Sequence, residues 1–71
     1  MKNKNLKVIK KSKTKYGNQI KLVLNIDEHN PLYGTFAIYL KRDKHWEYIF
    51  SSTDYKRVSI IFKKLENKGY V

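Results

Sequence analysis

His29 and His45 are the side chains in this sequence that ordinarily titrate near neutral pH, where general acids and bases work. His29 follows Asp27 and Glu28, and carboxylates beside an imidazole are raw material for a metal site. Such a site would need His45 to converge on that cluster, and the spacing matches no metal motif. A ribonuclease-type arrangement would pair one histidine with a nearby Lys, Arg or Tyr. No nucleophile–base constellation is evident. Gly17, Gly34 and Gly69 stand alone, so there is no glycine-rich phosphate loop. The chain has no cysteine, which excludes disulfides and thiolate metal sites. The expectation is a non-enzymatic protein without cofactor or metal.

The chemistry this sequence does carry is positive charge. Its 71 residues hold 16 Lys plus Arg against 6 Asp plus Glu, a net charge of +10. The charge is uneven. Residues 1–21 contain eight lysines and no acid. Lysines on an edge strand discourage aggregation, but eight without one acid exceed that need. The reading is an arm or hairpin facing a polyanion. The expected phosphate contacts are Lys7, Lys10, Lys11, Lys13, Lys15, Lys21, Lys41 and Arg42, with Tyr16 or Tyr39 stacking on bases. Lys outnumbers Arg 14 to 2, so recognition should act through charge more than base identity.

Other residues suggest a protein partner. Ile9, Val23, Tyr39 and Ile49 could form an apolar strip for a partner or a second copy. Arg57, Lys64 and Lys68 fall on one line of the outer face of a C-terminal helix, flanked by Lys56 and Lys63, with Ile60 among them. A row of this kind is more often a solvated helix surface. Residues with A/T-rich codons (Lys, Asn, Ile, Tyr, Phe) make up half the chain, as in low-GC bacteria, their phages and mobile elements. The alternative function is therefore a phage or mobile-element protein that binds and inhibits a host or defence enzyme. No apolar run marks a signal peptide or membrane span, so the expected location is the cytoplasm.

The elements that must position these residues follow from periodicity. Strands are expected at about 6–12, 19–26, 34–41 and 45–51, and a helix at about 53–68. Residues 1–5 are expected to be flexible. Ile20, Leu22, Leu24 and Ile26 alternate at period two, and Tyr16-Gly17-Asn18 supplies turn chemistry. Tyr55, Val58, Ile61, Phe62 and Leu65 form one helical stripe, after N-cap candidates Ser52, Thr53 and Asp54 and before Gly69. The fold class is α+β in the order β-β-β-β-α: a small antiparallel sheet of two hairpins with the helix packed on one face.

Alternation assigns the faces. The packed face should carry Leu6, Val8, Ile20, Leu22, Leu24, Phe36, Ile38, Leu40, Trp46, Tyr48 and Phe50. The open face should carry Lys7, Ile9, Lys11, Lys21, Val23, Ala37, Tyr39, Lys41, Glu47 and Ile49. How the two hairpins pair is not readable from the sequence.

Overall fold

The computed structural model describes residues 5–70. Most of the expected flexible lead, residues 1–4, lies outside them. The order is β1 (Leu6–Lys13), β2 (Gln19–Asn25), β3 (Phe36–Arg42), β4 (His45–Ser52) and α1 (Tyr55–Lys68). The strands form one open antiparallel sheet in the order β1-β2-β3-β4, so each strand pairs with its neighbour in sequence. Gly34 and Thr35 belong to the preceding loop and not to β3, because Gly34 has φ +83 and its N–H donates to Asn25 O.

One helix covers one face. Val58, Phe62 and Leu65 fall at helical spacing and are fully buried against Ile20, Leu22, Ile38 and Leu40. Phe36, Ile49, Phe50 and Ile61 pack around them. The helix begins at Asp54, whose carboxylate accepts from Lys56 N at 3.0 Å. It ends at Gly69, which adopts φ +84 and donates its N–H to Leu65 O. It crosses the sheet from the β3–β4 edge, where Tyr55 meets Phe36 edge-on at 5.1 Å, to β1, where Glu66 accepts from the Ser12 hydroxyl. Among the described residues no helix is long and apolar enough to cross a membrane.

The inner strands follow the expected alternation and the edge strands do not. In β4 the register shifts by one residue. Ile38 faces Phe50, but Tyr39 faces Tyr48, leaving Ile49 as an extra residue. This is a β-bulge, which shifts the alternation of side chains between faces. Ile49 and Phe50 both reach the core, and Trp46 and Tyr48 move to the open face with Lys41 and Tyr39. Glu47 lies opposite Leu40, on the helix side.

A second shift, between Val8 and Lys10, does the same in β1. Val8 lies opposite Val23 and Leu6 opposite Asn25, both on the open face, whereas Lys7 and Lys10 lie opposite Leu24 and Leu22. The expected packed positions of Leu6, Val8, Trp46 and Tyr48 are therefore corrected, as are the open-face positions of Lys7, Glu47 and Ile49. Ile9 is the bulge residue and has no direct opposite.

Candidate functional site

The open face gathers the charge and the rings. One row runs straight across the sheet: Lys11 opposite Lys21, Lys21 opposite Tyr39, Tyr39 opposite Tyr48. Strands lie about 4.8 Å apart, so the row spans roughly 14 Å. In the next row Lys13 faces Gln19 and Lys41 faces Trp46. The Lys21 ammonium reaches over β3 to stand 4.2 Å from the Trp46 ring centre, with Lys41 5.8 Å from the same ring. Tyr39 and Tyr48 meet edge to face at 6.2 Å. Tyr48 is 60% exposed, the most open of the three rings.

No acid sits on this face of the strands. Glu47 is on the helix side, where it pairs with Arg42 at 3.1 Å. Asp54 caps the helix and Glu66 holds Ser12. Asp27, Glu28 and Asp43 lie in loops and turns. Like charges directly opposite each other destabilise a sheet. The Lys11–Lys21 pair has no carboxylate beside it to offset that repulsion, and an incoming anion would.

The hairpin tip is fixed on the other side of the molecule. Thr14 is buried, and its hydroxyl accepts from Tyr16 N and Asn18 N, both at 3.2 Å. Lys15 N donates to Leu65 O at the end of α1. The Tyr16 ring lies so close to Gly69 that a Cβ there would overlap it. Tyr16 is thus docked on the helix terminus and does not join the open-face rings.

The sequence-based set therefore divides. Lys11, Lys13, Lys21, Tyr39 and Lys41 come together on the open face. Lys7, Lys10 and Arg42 lie on the helix side, where the Lys10 ammonium stands 5.5 Å from the Phe62 ring centre. Lys15 and Tyr16 occupy the tip. The apolar strip is interrupted, since Ile49 packs on the core and Val23 is only 1% exposed. Arg57, Ile60 and Lys64 are exposed on α1. Alternation alone missed Trp46 and Tyr48 as open-face residues. The adjacent apolar pair Ile49–Phe50 was the signal, because a regular half-buried strand would place one of them outward.

No family model, curated protein or solved structure matches this chain significantly. The functional reading therefore rests on the chemistry of the face. His29 lies in the β2–β3 loop and His45 at the β3–β4 turn, at opposite ends of the sheet. Among the described residues no group of three His, Asp or Glu could hold a metal ion.

Proposed function

We propose that this protein is a small, non-enzymatic nucleic-acid-binding accessory protein whose contact surface is the open sheet face. The observation that carries the reading is the acid-free row of Lys11, Lys21, Tyr39 and Tyr48, flanked by Lys13, Lys41 and Trp46. Lysines neutralise phosphates and release counterions, and exposed rings stack on bases whatever their identity. The surface is placed differently from a purely basic hairpin, because the rings come from β3 and β4.

Fluorescence anisotropy with single-stranded DNA, double-stranded DNA and RNA across a salt series tests this. The expected result is a Kd below about 1 µM near physiological salt, with a log–log salt slope of several units. Tyr48→Ala should weaken it by about tenfold, the scale of one lost stacking contact. Equal, low-salt-only binding to all three would make the charge generic. The search would then turn to a protein partner, including a host or defence enzyme inhibited by this chain.

A further inference from the structure

Below the row of rings the open face sinks into a groove of about 280 Å³. Val23 and Ala37, which face each other on β2 and β3, are among the residues that line it. Leu6 and Leu32 add apolar surface, and Tyr39 and Tyr48 border it on the side of the lysines. Asn25, Thr35 and Ser51 supply polar groups around this apolar patch. Pockets for drug-sized ligands run from about 300 to 1,000 Å³, so this one suits a single ring system.

The groove is built, not incidental. Ala37 is the small residue that opens it, between Phe36 and Ile38 that fill the opposite face. Leu32 is carried by a loop locked through side-chain turns. Asp27 N donates to Asn25 Oδ1 at 2.9 Å, His29 N to Asp27 Oδ1 at 3.1 Å, and Leu32 N to Asn30 Oδ1 at 2.8 Å. Asn25 lines the groove with its Oδ1 engaged by the Asp27 N–H. The Tyr48 hydroxyl and Ser51 Oγ are 2.7 Å apart, which fixes the ring beside the opening.

We infer that this groove accepts one unpaired nucleobase, so that the ligand is single-stranded nucleic acid. The inference rests on the open-face reading. An apolar patch ringed by a few polar groups suits a flat heterocycle with hydrogen-bonding edges. The cationic row next to it gives the charge complementarity for the attached phosphates. A duplex keeps its base faces stacked and cannot fill such a groove without extruding a base.

The test compares an oligonucleotide with an abasic strand of the same length and phosphate count, by anisotropy at fixed salt. The intact strand should bind about tenfold tighter. Ala37→Leu, which fills the groove, should cut that difference to what stacking on the exposed rings alone supplies and leave the salt slope unchanged. Leu32→Ala, in the exposed loop, should reduce it without challenging the core, with circular dichroism confirming both folds. Equal binding of intact and abasic strands, with a steep salt slope, would overturn the groove and leave phosphate binding standing. Failure of both strands to bind near physiological salt would overturn both readings, and a protein would become the partner to seek.

Discussion

The Lys21 ammonium lies 4.2 Å from the centre of the Trp46 ring, although the two residues belong to strands separated by β3. A cation held on an aromatic face is attracted by the ring quadrupole, by about 0.5–1 kcal/mol at an exposed site. The contact stores a positive charge on the same surface as the rings. It also makes the chain's single tryptophan a reporter of that surface.

Binding on the open face should therefore change Trp46 emission in a saturable way. A titration with a single-stranded oligonucleotide, followed by fluorescence and anisotropy together, checks this. Anisotropy that rises while emission stays constant would put the ligand elsewhere.

The two sides of the molecule should differ in their share of the electrostatics. Replacing Lys11, Lys13, Lys21 and Lys41 by alanine should lower the salt slope by roughly 0.7 per lysine for a single strand. Replacing Lys56, Lys63, Lys64 and Lys68 on α1 should leave the slope nearly unchanged. Equal effects of the two sets would mean that affinity follows net charge alone.

Gly69→Ala should destabilise the fold. An L-residue in the left-handed region costs about 1–2 kcal/mol, and the new methyl would also overlap the Tyr16 ring. In a Tyr16→Ala background the overlap disappears and only the backbone cost remains. Urea midpoints of the two single variants and the double variant measure the difference. Strictly additive changes would show that the ring moves aside freely.

Asp54→Ala should cost about 1 kcal/mol, because the Lys56 N–H loses its acceptor at the helix start. Thermal unfolding followed at 222 nm reads this directly. Asp54→Ser, which keeps an oxygen in reach, should recover most of it.

The elements themselves were legible, for physical reasons. Ile20, Leu22, Ile38 and Leu40 sit on central strands where one face must be buried, so period two is enforced by the core. Val58, Phe62 and Leu65 are equally constrained, and Asp54 and Gly69 are caps whose chemistry is local. The faces of β1 and β4 were not legible. An edge strand has a partner on one side only, and a bulge there alters alternation without altering composition. Trp46, Tyr48 and Phe50 read as one stripe, yet two of them point away from the third. In β1 the helix side carries Lys7, Lys10 and Ser12, since the C-terminal end of α1 reaches that edge with Glu66 and Phe62. Long lysine stems can cover apolar surface there with their heads in water. The strand order was also not readable, because either hairpin pairing would bury the same stripes.

The two-residue turn Asp43–Lys44, held between the paired Arg42 and His45, acts as a phase lock on β4. Counting back from Phe50 without the extra residue at 49, Trp46 would meet Arg42 and Tyr48 would meet Leu40. That alternative takes His45 out of the strand and makes residues 43–45 a three-residue turn. The length of the turn thus decides which side of the protein is aromatic. His45→Gly, which favours a three-residue turn over residues 43–45, should release the lock, turn the rings inward and shift Trp46 emission to the blue. Deleting Ile49 should instead leave Tyr48 opposite Tyr39 and the surface intact, at a cost in packing alone. A substitution in the turn and a deletion at the bulge would then have opposite consequences for the same face.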